Sequence, residues 1–184
     1  MTDRPEVQYE RFSVVCFADE AVSGVIGELR RLIPPRIAVM PAHVTAKGSF
    51  IEPICLQTVQ DRIADEARRS APMQVQVHEV TIRTAHVGLR MESSPPLAAL
   101  HDGLFAALED LVRDVYGDKP GAEYHPHMAV FYGLTPEDHS KALELTPALQ
   151  QIRAVRLGEV SLVGRIGGSQ DGHWVEISSY PLGQ

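Results

Sequence analysis

The chain of 184 residues is 44% hydrophobic and 22% charged, and its formal net charge is −7 at pH 7. These values are typical of a globular protein with one sizeable core or two small lobes. They argue against binding to long double-stranded nucleic acid, where many phosphates must be neutralised, and no apolar run approaches the roughly 18 residues of a membrane-spanning helix.

The first half of the chain predicts strands and helices in alternation. Residues 8–17, rich in aromatic and β-branched side chains, predict a strand, and residues 43–50 and 73–78 predict two more. Two amphipathic helices lie between these strands, and Pro34 ends the first of them. The apolar residues at helical spacing in the two helices are Val22, Ile26, Leu29 and Ile33, then Leu56, Val59, Ile63 and Ala67.

The second half predicts the same order of elements. Residues 87–91 alternate apolar with polar or small side chains, as in a strand. Pro95 and Pro96 then start a helix that carries apolar residues at helical spacing as far as Val115. The remaining predictions are a strand around His127, a helix near 137–151, a strand near 154–163 and a last strand near 173–179.

This repeated order predicts an α+β fold. Alternating helices and strands could also form a parallel, doubly wound sheet. The turn after the first strand, ADEAVSG, is however a poor match to the glycine-rich phosphate turn of that fold. We therefore expect residues 1–184 to form a single bilobal domain, with a mainly antiparallel sheet in each lobe, helices on the outer faces and a groove between the lobes.

Two histidines that lie 84 residues apart are the best clue to function. His43 in PAHVTAKGSF and His127 in HPHMAVFYG each lie near the start of an apolar, strand-like run, at matching places in the two halves. Imidazole titrates near neutral pH, so one ring can remove a proton while the other supplies one. Strand alternation places Thr45 and Lys47 on the face of His43, a polar set that suits a wet cleft.

The two strands, 41–50 and 124–132, resemble the signature strands of the two-histidine phosphoesterase superfamily, which includes the RNA 2′,3′-cyclic phosphodiesterases also called 2′-5′ RNA ligases. The family motif is His-x-Thr/Ser followed by an apolar residue, and it occurs twice. Residues 43–46 (His-Val-Thr-Ala) fit it completely, whereas residues 127–130 (His-Met-Ala-Val) have Ala129 where a hydroxyl is expected. The likeness in element order spans roughly residues 8–180.

The resemblance implies two lobes related by a pseudo-twofold axis, with both motifs facing one groove. It also implies phosphoester chemistry without a metal or other cofactor. His43 and His127 would be the catalytic pair: one activates water or a hydroxyl against a cyclic phosphate, and the other protonates the departing ribose oxygen. The substrate would be an RNA end or a small cyclic nucleotide, and the product typically a 2′-phosphate.

Four further residues are predicted to bind the substrate. Thr45 could donate a hydrogen bond to a phosphoryl oxygen, and Lys47 could add positive charge. His125 shares the face of His127 and could replace the hydroxyl that Ala129 lacks. Phe131, at the place equivalent to Lys47, could stack on a base. The alternatives are a surface amine for Lys47 and core packing for Phe131.

Two rival functions stay open at this stage. His43, His125 and His127 could be three metal ligands, since histidines two apart on a strand point the same way. Because of Ala129, the protein could also be a descendant that binds RNA or nucleotides without turnover. In either case we expect a monomer.

Other residues suggest ordinary structural roles. Cys16 and Cys55 lie in apolar contexts and predict reduced core thiols in a cytoplasmic protein. Trp174 is expected in the core or between the lobes. Arg90 and Arg165 are predicted at the surface, with phosphate contacts as the alternative. The histidines expected to be solvated are His78, His86, His101, His139 and His173.

Overall fold

Strands and helices alternate along most of the chain in the computed structural model, which describes residues 8–34, 39–84, 86–116, 121, 124–167 and 172–184. The strands are β1 (Arg11–Phe17), β2 (His43–Ile51), β3 (Met73–Arg83), β4 (His86–Met91), β5 (Arg113–Asp114), β6 (His127–Tyr132), β7 (Ala154–Leu157), β8 (Glu159–Ile166) and β9 (His173–Pro181). The helices are α1 (Glu20–Leu32), α2 (Leu56–Arg69), α3 (Pro95–Leu108), α4 (Pro136–Glu144) and α5 (Thr146–Leu149).

These strands form two antiparallel sheets. The five-stranded sheet has the order β5-β2-β1-β8-β9, and the four-stranded sheet has the order β6-β4-β3-β7. Every strand pair in both sheets is antiparallel. The predicted α+β class with two lobes is confirmed, and the parallel doubly wound alternative is wrong.

The two sheets do not coincide with the two halves of the sequence. The predicted strand near 154–163 is in fact two strands, because β7 pairs with β3 in one sheet and β8 pairs with β1 in the other. The chain crosses between the sheets at Gly158. The burial pattern changes there: residues alternate between buried and exposed as far as 157, whereas residues 160–164 are all buried, so the two-residue period ends at the crossing.

The third helix is shorter than predicted. It ends at Leu108, and the apolar residues after it continue into a turn in which the amide of Leu111 bonds to the carbonyl of Leu108. Residues 113–114 then pair with the end of β2 as the short strand β5. Leu111 is buried in the core without being helical, because the turn directs it back toward the sheet.

Helices from each half pack against the motif strand of the other half. α1 contacts β6, and α3 contacts β2 and also packs on α2. α1 is capped by Asp19, whose carboxylate accepts hydrogen bonds from the amides of Val22 and, on β7, Arg156. This capping fixes the helix so that its last turn brings Arg30 to β6. None of the helices in these described ranges has the length and apolar content needed to span a bilayer.

Candidate active site

His43 is the first residue of β2, and its ring is fixed in one tautomer. Its Nδ1 lies 2.7 Å from the carbonyl oxygen of Pro41. Because a carbonyl can only accept, Nδ1 carries the hydrogen, and Nε2 of the neutral ring keeps its lone pair. Phe17, the cross-strand partner of His43, packs edge-on against the imidazole with the ring centroids 6.4 Å apart.

His127 is the first residue of β6 and repeats this arrangement. Its Nδ1 lies 3.2 Å from the carbonyl oxygen of His125, again the residue two positions earlier in the chain. The side chain of His127 is exposed, whereas that of His43 is half-buried. The two motif strands therefore present the same ring tautomer from two different depths.

The two histidines are electrostatically coupled. β2 and β6 lie beside each other although they belong to different sheets. Burial is the main cause that lowers the pKa of His43 from 6.5 to about 4, and the positive charges of Arg30 and His127 lower it further. The hydrogen bond to Pro41 acts in the opposite direction. His43 is consequently neutral at pH 7 and can accept a proton at Nε2.

Arg30 joins the two motif segments. Its Nε donates to the carbonyl of Val130 at 2.9 Å and its Nη2 to the carbonyl of Ala129 at 3.0 Å, both in the second motif. Its Nη1 donates to the carbonyl of Met40 at 2.9 Å, shortly before the first motif. A guanidinium has five N–H donors, so these three bonds leave two for a ligand. Arg30 thus places a positive charge beside His43 and beside Ala129.

Thr45 lies on the face of β2 that carries His43, as predicted, and two aromatic side chains hold its backbone. The hydroxyl of Tyr124 donates to the carbonyl of Thr45 at 2.8 Å. His101 Nδ1 donates to the next carbonyl, that of Ala46, at 2.7 Å. The rings of His101 and Tyr124 are stacked with centroids 3.8 Å apart. The prediction that His101 is solvated is wrong, since it is 3% exposed.

Lys47 does not share the face of His43 and Thr45, and that prediction is wrong. Val15 pairs with Thr45, but the next residue back along β1, Val14, pairs with Lys47, so β2 contains one extra residue at Ala46. This bulge reverses the alternation of side chains. Lys47 is 1% exposed, forms an ion pair with Asp114 and lies 4.0 Å over the ring of Phe105.

Phe131 is also turned away from the groove, so its predicted place beside His127 is wrong. Gly88 pairs with Ala129 and Val87 with Phe131, which places an extra residue of β6 at Val130. This second bulge lies 84 residues after the first, and each bulge reverses the alternation of side chains at the equivalent position of its motif. Phe131 is 2% exposed and belongs to the hydrophobic core. Its alternative interpretation, core packing, is the one that the structure supports.

Tyr132 takes the groove-facing position that was expected of Phe131. It is 50% exposed and lines the same cavity as His43 and Ala129. The predicted residue His125 is exposed and contributes its carbonyl to His127, and its role toward a substrate stays a prediction. In the described residues, no cluster of three His, Cys, Asp or Glu side chains could hold a metal ion. The alternative of a site built from His43, His125 and His127 is therefore not supported.

The sequence matches the family model of the 2′-5′ RNA ligase superfamily over residues 18–169. The chain belongs to the 2′-5′ RNA ligase superfamily. A Bacillus licheniformis protein provisionally named a phosphoesterase is 20% identical over 143 residues, which cover 72% of this chain and 77% of that protein. The region that the family model matches contains both histidine motifs and both bulges.

Solved structures show the same fold. Escherichia coli LigT complexed with NADP+ is 14% identical, with a TM-score of 0.61, and the match covers 96% of this chain and all of LigT. A protein of Thermus thermophilus is 16% identical, with a TM-score of 0.64, and the match covers 94% of this chain and 98% of that one. At these identities the likeness establishes the fold.

The cavity lined by His43 and Ala129 contains residues that the sequence did not single out. Its volume is about 370 Å³. Arg30 was missed because its importance depends on backbone carbonyls of a distant strand. Tyr132 was missed because strict alternation ignored the bulge. Arg165 lines the groove, which fits its alternative prediction as a phosphate contact better than a plain surface position. Trp174, which was expected in the core or between the lobes, lines it too. Among the described residues, the lining consists of Arg11, Arg30, Val39, Met40, His43, Tyr116, Ala129, Tyr132, Arg165 and Trp174.

Two smaller expectations differ from the structure. Cys16 is a buried thiol, as predicted, but Cys55 is exposed, because it precedes α2 at the surface. Arg90, the cross-strand partner of His127, pairs with Glu79 at 3.0 Å and is 53% exposed, which fits the predicted surface position.

Proposed function

We propose that this member of the 2′-5′ RNA ligase superfamily opens 2′,3′-cyclic phosphates on RNA ends or small nucleotides, without a metal, by acid–base catalysis between His43 and His127. The observation that carries the proposal is the matched pair of rings. Each Nδ1 is bonded to the carbonyl two residues upstream, and the charge of one ring acts on the pKa of the other. Each Nε2 is therefore left for proton transfer.

The different environments of the rings assign the two roles. His43, with its pKa at about 4, is neutral at pH 7 and is the base. It removes a proton from water as the water oxygen bonds to phosphorus. His127, exposed to solvent, takes part as the imidazolium and gives its Nε2 proton to the ribose oxygen whose bond to phosphorus breaks. The proton taken by His43 and the proton lost by His127 balance.

Thr45 and Arg30 stabilise the charge that develops on the phosphate. The hydroxyl of Thr45 on the face of His43 donates to one non-bridging oxygen. Arg30, which lines the cavity beside Ala129, supplies positive charge where the second motif lacks a hydroxyl. Burial lowers the pKa of Arg30, but a guanidinium stays charged in the neutral range.

Nucleotide ligands of a relative support the substrate class. E. coli LigT has been solved in complexes with 3′-AMP, ATP and phosphate. A groove that combines arginine side chains with exposed tyrosine rings and the half-buried Trp174 suits the same class of ligand. The acidic net charge of the whole chain is compatible with this, because the arginines are gathered locally.

The decisive test is incubation with the four nucleoside 2′,3′-cyclic phosphates in EDTA, followed by identification of the phosphate position in any product. We expect turnover that is lost in His43→Ala and in His127→Ala. The matched control is His78→Ala, since His78 is an exposed histidine of β3 outside the cavity. Turnover that persists in both active-site variants, or that requires a metal, would contradict the proposal.

A second candidate function follows from Ala129. Loss of one donor to a developing charge can lower turnover roughly 10²–10³-fold, so a protein with this substitution could bind a cyclic nucleotide and release it unchanged. Equilibrium binding of the same four nucleotides without any product would favour this binder over the enzyme.

A further inference from the structure

Two arginines and a tryptophan form a row across the five-stranded sheet. Arg11 on β1 pairs directly with Arg165 on β8, and Arg165 pairs directly with Trp174 on β9. Cross-strand partners project from the same face, and all three side chains line the cavity that contains His43. The row is therefore part of the groove.

Placing two arginines opposite each other costs stability. Like charges directly opposite on neighbouring strands repel. The carboxylate of Glu10 lies 3.9 Å from Arg165, at the limit of an ion pair, and Arg11 donates to the hydroxyl of Tyr116 at 2.8 Å. Local rules are typically broken at functional sites, and an anion bound between the arginines would offset the repulsion.

The row lies at a distance from the catalytic histidine. His43 pairs with Phe17, which is six residues beyond Arg11 on β1. At about 3.3 Å per residue, the two rows are roughly 20 Å apart along the strand, although the long arginine side chains shorten the gap. A phosphate held at His43 and His127 is therefore distinct from an anion held at Arg11 and Arg165.

We propose that Arg11 and Arg165 form a second phosphate site, for a phosphate on the 5′ side of the cyclised ribose, with Trp174 and Tyr116 contacting the intervening nucleotides. The position of the cyclic end rests on the proposed function. A terminal 2′,3′-cyclic phosphate has nothing on its 3′ side, so any additional phosphate belongs to the 5′ side. The substrate is then a short RNA end, or a nucleotide with a 5′-phosphate, in preference to a simple nucleoside cyclic phosphate.

The test is equilibrium binding, measured in a His127→Ala background so that no probe is consumed. The probes are adenosine 2′,3′-cyclic phosphate, its 5′-phosphorylated form, and the trinucleotide ApApA with the same cyclic end. We expect one or both probes with additional phosphate to bind roughly tenfold more tightly than the nucleoside. The 5′-phosphorylated mononucleotide and the trinucleotide separate the two sources of that phosphate.

The variants are Arg11→Gln and Arg165→Gln, with Arg62→Gln on the exposed face of α2 as the matched control. Each of the first two should abolish most of the gain from the additional phosphate, whereas Arg62→Gln should keep that gain. Each should also flatten the salt dependence of trinucleotide binding by about 0.7 in the log–log slope, the value for one phosphate of a single strand. Because both variants relieve a like-charge contact, melting temperatures should not fall.

The outcomes separate this proposal from the proposed function. Equal affinity for all three probes, or a gain that survives in both arginine variants, overturns the second phosphate site even if the wild type turns over cyclic phosphates. A gain that depends on Arg11 and Arg165 supports the site even if the wild type turns over none of them.

Discussion

His101 and Ala46 are joined by a hydrogen bond of 2.7 Å, from imidazole Nδ1 to the backbone carbonyl, although 55 residues separate them. Ala46 is the extra residue of the bulge in β2. The bond ties that bulge to α3, and Tyr124, stacked on His101, ties the preceding carbonyl of Thr45. The orientation of Thr45 on the face of His43 thus depends on the side chains of His101 and Tyr124.

Tyr124→Phe should lower turnover without unfolding the protein. The ring still stacks on His101, but the carbonyl of Thr45 loses the hydroxyl that now bonds to it. Burial raises the pKa of Tyr124, so this hydroxyl stays protonated as a donor. We expect a stability loss of about 1 kcal/mol and a fall in kcat larger than the change in KM. A kcat equal to that of the wild type would show that the bulge does not need this contact.

Lys47→Met should damage stability and spare chemistry. The amine is paired with Asp114 and lies over the ring of Phe105. Removing one partner of a buried pair costs up to about 3–5 kcal/mol of stability. The cost is smaller here because Asp114 is partly exposed. Lys141→Met is the control: Lys141 pairs with Glu137 on an exposed helix face, where such a contact is worth about 0.3–0.5 kcal/mol. Urea unfolding and kcat below the transition check both. A large fall in kcat with unchanged stability would contradict the buried position of Lys47 and indicate that it contacts the substrate.

The sequence was sufficient to locate most of the elements and to single out the histidine pair, because both depend on local patterns. Apolar spacing located α1 and α2, and the two His-x strands stood out by their matching positions. The bulges were not predictable, because an extra residue at Ala46 or Val130 leaves the sequence looking like a regular alternation. One shifted residue then reassigned both Lys47 and Phe131 from the groove to the core.

Long-range contacts account for the other residues that were missed. Arg30 looks like an ordinary basic residue in the last turn of a helix, since its partners are backbone carbonyls 99 and 100 residues away. Arg11 and Arg165 acquire meaning only from the pairing of β1 with β8. The order of the strands in the sheets determines which of these residues become neighbours, and that order cannot be read from a local sequence pattern.

Phe131→Ala and Tyr132→Ala should have opposite effects. Phe131 is buried in the core, so its truncation should cost about 3–5 kcal/mol of stability. Tyr132 faces the groove, and its truncation should leave stability nearly unchanged and weaken nucleotide binding by about 1–3 kcal/mol if the ring stacks on a base. Thermal melts and binding titrations of both variants are the measurement. Weakened binding in Phe131→Ala at full stability would contradict the assigned faces.

Ala129→Thr should raise turnover. Ala129 is half-buried and lines the cavity, so a hydroxyl there would face the phosphate and restore the complete second motif. A single donor to a developing charge is worth up to roughly 10²–10³-fold in kcat, and we expect a smaller gain because Arg30 already supplies charge nearby. Single-turnover kinetics with one cyclic nucleotide measure it. A large loss would mean that the phosphate does not lie beside Ala129.

The kcat/KM of the wild type should stay high at moderately acid pH. Arg30→Gln should shift the acidic fall of kcat/KM to higher pH. As the base, His43 must be neutral, so kcat/KM of the wild type falls only as pH approaches about 4. The charge of Arg30 lowers the pKa of His43, so its removal should raise that pKa, while burial keeps the pKa below the ordinary 6.5. Arg62→Gln should not shift it.

Acid unfolding must be separated from this titration. Between about pH 6.5 and 4 the unfolded chain takes up a proton at His43 that the folded protein does not, so folding stability falls as pH falls through that window. Circular dichroism at each pH identifies the folded range, within which the rates are compared. A wild-type acid limb near 6.5 in fully folded protein would mean that His43 is not the base in the free enzyme.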